Sequence, residues 1–191
     1  ADGIELAQTL VNSLTLGQGQ FCTSPGLWIV VGDTQQRQAF EQAAAIAVGQ
    51  TTAGVMLTTT IASAYKNTVQ QWQDIANVQC LAQGQPSAPH YCRAALFATD
   101  LATFKQNQTL QQEVFGACAL IIRCKNIDEL FACHDLLRGN LTASIHGVAE
   151  DLQDSKKLSK KLIHKVGRLI YNQMPTGVEV CSSMNHGGPF P

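Results

Sequence analysis

Charged residues are scarce in this chain. They make up 14% of its 191 residues, and 13 Lys and Arg against 14 Asp and Glu leave a net charge of −1. A chain with so little net charge has no long-range field to attract nucleic acid or an anionic membrane, and the lysine-rich segment 156–165 fits the solvated face of an amphipathic helix. No apolar run approaches the roughly 20 residues that a membrane-spanning helix needs. We therefore expect neither a nucleic-acid nor a membrane partner.

Several motifs of metal and cofactor chemistry are also missing. The seven cysteines have neither the paired C-x-x-C spacing of a zinc site nor the pattern of a disulfide framework. The histidines form no H-E-x-x-H pair, and adjacent Cys133 and His134 would point in different directions on a helix. The segment Gly17-Gln-Gly-Gln-Phe-Cys22 fails as a dinucleotide fingerprint, because a cysteine replaces the third glycine and the motif precedes a strand. The irregular cysteines indicate a reducing, cytoplasmic setting.

Apolar runs of strand length alternate with helical segments along the chain. Continuous apolar runs are typical of parallel strands covered on both faces. The pattern predicts an α/β fold, a three-layer domain with a mostly parallel sheet. The predicted strands are Leu27–Val31, Ala94–Ala98, Ala117–Arg123, Leu141–Ile145 and Arg168–Tyr171. The predicted helices are Ile4–Leu14, Gln35–Val48, Ser63–Val78, Ile127–Leu137 and Asp151–Val166, with capping boxes at Asp33/Gln36 and Asn126/Glu129.

One cysteine differs from the other six in its surroundings. Cys22 follows a glycine-rich segment and stands among small hydroxyl residues, just ahead of the apolar run that starts at Leu27. Most cysteines are small core hydrophobes. A thiol in a turn ahead of a strand, with Pro25 and Gly26 fixing the exit, is instead presented for nucleophilic chemistry. These local features favour a reactive thiol at Cys22.

A second motif, Glu113-Val-Phe-Gly116, places a carboxylate and an aromatic ring just before the predicted strand at Ala117. Such a position suits a ligand that approaches the edge of an open α/β sheet. Taken alone, the pattern favours a plainer interpretation, a helix-end glutamate followed by a core phenylalanine.

These two motifs occur together with Gly139-Asn-Leu-Thr-Ala-Ser144 and Ile170-Tyr-Asn172. In order and approximate spacing, the set resembles the catalytic domain of the aldehyde dehydrogenase superfamily over nearly the whole chain. The tail from Pro175 to Pro191 is similar to the branch that contains NADP-preferring fatty-aldehyde dehydrogenases and α-ketoglutaric semialdehyde dehydrogenases. The resemblance implies oxidation of an aldehyde to a carboxylic acid with NAD or NADP, by a protein expected to be a homo-oligomer.

The resemblance also implies roles for three residues of the first two motifs. Cys22 is the expected nucleophile, which forms a thiohemiacetal and then a thioester, and its backbone N–H is expected in the oxyanion hole. Glu113 matches the carboxylate that binds the nicotinamide ribose, and Phe115 matches the aromatic residue beside the nicotinamide. No metal is expected. Ala117 replaces the family's usual proline, a change that bears on the turn near the ribose.

The resemblance places three further parts of the family's machinery ahead of Ala1: the glutamate that activates water, the asparagine that completes the oxyanion hole, and the cofactor-binding domain. We therefore expect residues 1–191 to be a catalytic domain truncated at both ends and inactive by itself. Two alternatives stay open. One is a Cys–His acyl hydrolase, with His186 as the candidate partner, and the other is a non-catalytic α/β module. The aldehyde is not determined, although Phe21 and the loop around Met184 are expected to shape its pocket.

Overall fold

A computed structural model describes residues 3–88, 90–176, 181–183 and 187–189. The helices in these ranges are α1 (Gly3–Thr15), α2 (Thr34–Gly49), α3 (Thr59–Gln73), α4 (Leu101–Gln106), α5 (Ile127–Leu136) and α6 (Leu152–Leu162). The strands are β1 (Leu27–Val31), β2 (Gly54–Val55), β3 (Gln79–Gln83), β4 (Tyr91–Cys92), β5 (Ala95–Asp100), β6 (Cys118–Cys124), β7 (Asn140–Ile145) and β8 (Val166–Tyr171).

Four of these strands form the central sheet, in the order β1-β6-β5-β3. Strand β6 is parallel to both neighbours, β1 and β5, whereas β3 is antiparallel to β5. Strands β7 and β8 form a parallel pair, and β2 pairs with β4 in an antiparallel one. The predicted α/β fold with a mostly parallel sheet is confirmed. None of the described helices is both long and apolar enough to cross a membrane.

Two hydrophobic clusters cover the two faces of the sheet. On one face, α1 and α2 pack on the central sheet, and the rings of Trp28 and Phe40 meet edge to face at 6.0 Å between centroids. On the other face, α3 and α4 pack with the rings of Trp72 and Phe97 at 5.5 Å. Alternate residues of β5 and β6 face the two clusters, so both strands are buried almost throughout. This burial explains their continuous apolar sequence.

The capping residues begin their helices as predicted. The Asp33 carboxylate accepts from the Gln36 backbone N–H at 2.8 Å, and the Gln36 side chain accepts from the Asp33 N–H at 3.3 Å. At α5, Asn126 accepts from the Glu129 N–H, but the Glu129 carboxylate accepts from the backbone N–H of Lys125 rather than that of Asn126.

Two predicted helices end too late. The helix predicted to reach Val78 ends at Gln73, and the chain that follows turns through Asn77, whose φ of +64° is not helical. The helix predicted to reach Val166 ends at Leu162, and Val166 is the first residue of β8. The short elements β2, β3, β4 and α4 were not predicted, because none has an apolar run long enough to indicate a strand or a helix.

Candidate active site

A left-handed segment joins α1 to the turn that carries Cys22. A 3-10 turn, Leu16–Gly19, follows α1, and Gly17, Gln18 and Gly19 have φ values of +56°, +59° and +69°. This left-handed conformation favours glycine, which explains the two glycines of the motif. Gln18 adopts it without being glycine, and its side chain lies against the backbone of Gly54.

Cys22 lies in the tight turn that follows and is exposed. The Ser24 backbone N–H donates to the Phe21 carbonyl at 3.0 Å, so a hydrogen-bonded turn encloses Cys22 and Thr23. The Gly26 N–H donates to the Ser24 carbonyl at 2.9 Å, and β1 begins at Leu27. The Phe21 side chain is 42% exposed beside the thiol. The turn therefore presents Cys22 at the amino end of β1.

Three other cysteines lie in a different environment. Cys118, Cys124 and Cys133 are buried in the cluster on the α3 side of the sheet. Burial raises the pKa of each thiol, to about 11 for Cys124 and about 12 for Cys133, because an apolar surrounding disfavours the thiolate. These three residues act as core hydrophobes.

The Glu113 motif lies in a loop after a second 3-10 turn, Gln108–Gln111. Glu113 is exposed, and the Phe115 ring is 39% exposed. Val114, between them, is the residue that packs against the core. Phe115 is therefore not the core phenylalanine of the plainer interpretation, and the loop displays a carboxylate and an aromatic ring together.

The structure brings the two motifs together. Strands β1 and β6 are parallel neighbours, and the Leu120 N–H donates to the Gly26 carbonyl at 2.9 Å where they begin. The backbone of Gly19 lies so close to the Gly116–Ala117 peptide that a methyl group on Gly19 would overlap it. The shared site thus lies at the amino ends of two parallel strands, whereas ligands of open α/β sheets usually bind at the carboxyl ends.

Two residues that sequence reasoning missed hold this arrangement. The Gln20 side chain accepts from the Leu57 N–H at 2.8 Å and donates to the Gly17 carbonyl at 3.1 Å. Tyr65, on α3, donates its hydroxyl to the carbonyls of Arg93 and Ala117, at 2.7 and 3.0 Å. Gln20 lies within the cysteine motif, so its position in that motif could have drawn attention to it. No sequence pattern marked Tyr65.

Other sequence candidates lie elsewhere. His134 is buried, and its Nδ1 lies 3.0 Å from a carboxylate oxygen of Asp135. Within the described ranges, no group of three or more His, Cys, Asp or Glu residues could hold a metal ion. His186, the candidate partner in a hydrolase, and Met184 both lie outside the described residues.

A cavity of about 690 Å³ lies behind the turn that carries Cys22, with walls that include β1 and β7. Its lining includes Ser24, His134, Ser144 and His146, and a polar side-chain atom of each is buried without a hydrogen-bond partner in the part of the chain that the structure describes. Burial lowers the pKa of His146, because the cavity wall disfavours the imidazolium.

Comparisons with known proteins find aldehyde dehydrogenases, both by family and by individual relative. The model of the aldehyde dehydrogenase family matches residues 1–189. α-Ketoglutaric semialdehyde dehydrogenase 2 of Azospirillum brasilense is 42% identical over 193 aligned residues, and the corresponding enzyme of Acinetobacter baylyi is 35% identical over 196. Both alignments cover the whole of this chain but only 36% of the relative.

A solved structure shows the same fold. The Δ-pyrroline-5-carboxylate dehydrogenase of Mycobacterium tuberculosis bound with NAD superposes with a TM-score of 0.78 at 14% identity. That superposition covers 96% of this chain and 35% of the other.

Proposed function

Because this chain belongs to the aldehyde dehydrogenase family, we propose that residues 1–191 are the cysteine-bearing catalytic domain of an enzyme that oxidises an aldehyde to a carboxylic acid. One observation carries this proposal. The exposed Cys22 turn and the loop that displays Glu113 and Phe115 meet through Gly19 and Gly116. A nucleophile beside a carboxylate and an exposed ring suits a reaction that needs both covalent attack and a bound cofactor.

In the proposed reaction, the Cys22 thiolate attacks the aldehyde carbonyl carbon and forms a thiohemiacetal. Its backbone N–H stabilises the developing oxyanion. A bound NAD or NADP, which Glu113 and Phe115 would hold, would supply the hydride acceptor needed for the thiohemiacetal to become a thioester. Water then cleaves the carbon–sulfur bond, which releases the carboxylate and returns the thiol. Cysteine suits both halves, because a thiolate is a strong nucleophile and a thioester is readily hydrolysed.

The residues present fit a nicotinamide cofactor on one side. The exposed Glu113 carboxylate is an acceptor for ribose hydroxyls, and the Phe115 ring, 39% exposed, offers an apolar surface to the nicotinamide. Their role predicts a separation of function from stability. In a polypeptide that includes the family's upstream domain, Glu113→Gln should slow hydride transfer or raise the cofactor KM, and should leave the Tm nearly unchanged.

Glu150→Gln is the matched control for that variant, since Glu150 is an exposed carboxylate in the 3-10 turn Ala149–Asp151 just before α6, outside both motif loops. It should leave kinetics and Tm unchanged. A large loss of Tm with normal kinetics in Glu113→Gln would show that Glu113 is only structural.

Aldehyde-dependent reduction of NAD or NADP by the upstream-extended polypeptide tests the function itself. α-Ketoglutaric semialdehyde is the first aldehyde to assay, because both curated relatives carry that name. Cys22→Ala should lower the rate by several orders of magnitude, since removing a nucleophile removes the covalent route. Cys80→Ala, at another exposed cysteine, should not. Reduction that survives Cys22→Ala, or no reduction with any aldehyde, would contradict the proposal.

Family membership is also the premise for our proposals on compartment, oligomeric state and the activity of the chain alone. The complete protein is a cytoplasmic homo-oligomer, and the chain of 191 residues by itself is inactive. Support comes from its span, which is 36% of the length of each curated relative, and from the buried thiols of Cys118, Cys124 and Cys133, which suit a reducing compartment.

A further inference from the structure

We propose that Tyr65 is a positioning residue for this site: it sets the spacing between the Cys22 turn and the loop that displays Glu113 and Phe115. The inference rests on the proposed function. Tyr65 belongs to neither motif and lies on α3, on the far side of the second loop from Cys22. Its side chain is only 4% exposed, so it acts through the backbone that it contacts.

The hydroxyl group of Tyr65 joins the segments that lead into two strands. Its single proton is shared between the Arg93 carbonyl at 2.7 Å, ahead of β5, and the Ala117 carbonyl at 3.0 Å, ahead of β6. The Ala117 carbonyl also accepts from the Ala95 N–H at 2.9 Å. Burial raises the pKa of Tyr65 well above its usual value, so the phenol remains a donor throughout the working pH range. The backbone just after Gly116 is therefore held in place from the α3 side.

The ring of Tyr65 supports the same backbone sterically. A methyl group on Gly116 would overlap the ring atoms Cδ2 and Cε2 of Tyr65, and a methyl group on Gly19 would overlap the Gly116–Ala117 peptide. The Tyr65 ring, the Gly116 backbone and the Gly19 backbone are thus stacked with no room for a side chain between them. Interiors packed this closely transmit small displacements.

The two ends of this stack lead to the two functional loops. Glu113 and Phe115 lie one to three residues before Gly116, and Cys22 lies three residues after Gly19. A change at Tyr65 therefore shifts the cofactor-binding side chains relative to the thiol. Displacements of about 1 Å from a remote substitution can cost roughly 100-fold in rate. The thiol itself, held by the turn from Phe21 to Ser24, should be less affected.

Tyr65→Phe in the upstream-extended enzyme is the test, because it keeps the ring and removes the shared proton. The nucleotide KM should rise about fivefold and kcat should fall by a similar factor, an effect well inside the range of remote misplacements. The aldehyde KM and the rate of Cys22 alkylation by iodoacetamide should stay within about twofold. Thr68→Val is the matched control: its hydroxyl donates to the Ala64 carbonyl within the same helix, α3, at 3.0 Å, and belongs to neither loop. It should change none of these values.

Gly19→Ala gives a second route to the same result without touching Tyr65. Its methyl group should separate the two loops and reproduce the rise in nucleotide KM, whether or not Tyr65→Phe folds well. A lower Tm with unchanged KM and kcat in Tyr65→Phe, or unchanged kinetics in Gly19→Ala, would overturn the inference. An inactive wild-type enzyme would instead overturn the proposed function, and this inference with it.

Discussion

Cys22 differs from the buried cysteines in the property that controls thiol reactivity, the access of a thiolate to solvent and to an electrophile. Cys22 is exposed in a hydrogen-bonded turn, whereas Cys118, Cys124 and Cys133 are enclosed by the core. Burial raises the pKa of these three thiols, so they are protonated as well as shielded at neutral pH.

Brief treatment of the native chain with iodoacetamide should therefore label Cys22 ahead of Cys118, Cys124 and Cys133. Peptide mapping by mass spectrometry measures the order. In denaturant, where burial no longer separates the cysteines, the preference should shrink, which provides the internal control. Native labelling of Cys118, Cys124 or Cys133 before Cys22 would contradict this assignment.

His146 predicts how stability depends on pH. Its Nε2 is buried without a hydrogen-bond partner in the described ranges, and burial lowers its pKa in the folded chain. The unfolded chain then binds more protons than the folded one between the lowered pKa and the ordinary value of about 6.5. This contribution to stability is complete above that value and is lost as the pH falls through the folded pKa.

The Tm should accordingly fall between pH 7.5 and pH 5.5, and His146→Asn should reduce that fall. Thermal unfolding followed by circular dichroism at both pH values gives the comparison. His164→Asn, at an exposed histidine, is the matched control. An equal pH dependence in wild type and His146→Asn would show that His146 contributes nothing to acid sensitivity.

At the scale of the secondary-structure elements, local signals determined most of what the sequence could predict. Strands β1 and β6 and helix α2 have apolar runs or caps that act within a few residues, and they form where predicted. Strand β3 was missed because it lies at the edge of the sheet, where its residues are exposed or only partly buried. Its sequence therefore needs no apolar run, and it has none. The contact of Gly19 with Gly116 was beyond prediction, because it depends on the register of β1 against β6.

The Asp33 cap gives a prediction at this scale. Asp33→Ala should destabilise the chain by about 1 kcal/mol, because it removes the acceptor for the Gln36 N–H at the start of α2. In a domain of this size, that loss lowers the Tm by roughly 2–4 °C. Gln38→Ala, at an exposed position on the same helix, is the control. An unchanged Tm in Asp33→Ala would mean that tertiary packing alone sets where α2 begins.

At the scale of the whole molecule, the proposed site accounts for only one end of the cofactor. Glu113 and Phe115 are exposed on a loop whose Gly116 lies against Gly19, three residues before Cys22, and the roles proposed for them concern only the nicotinamide end of a dinucleotide. The chain spans 36% of the length of its curated relatives, and the family resemblance assigns the adenosine end and the water-activating glutamate to upstream sequence. Folding and catalysis are therefore expected to separate.

The chain of 191 residues should fold cooperatively but should neither bind NADP tightly nor turn over an aldehyde. Contacts from two side chains are too few to offset the entropy lost when a flexible dinucleotide is fixed. Any thioester on Cys22 should also hydrolyse slowly, since the family resemblance assigns the glutamate that activates water to upstream sequence. Calorimetric titration with NADP measures the first expectation, with the upstream-extended polypeptide as the control that binds. Micromolar affinity, or multiple turnovers by the chain alone, would show that residues 1–191 already contain a complete active site.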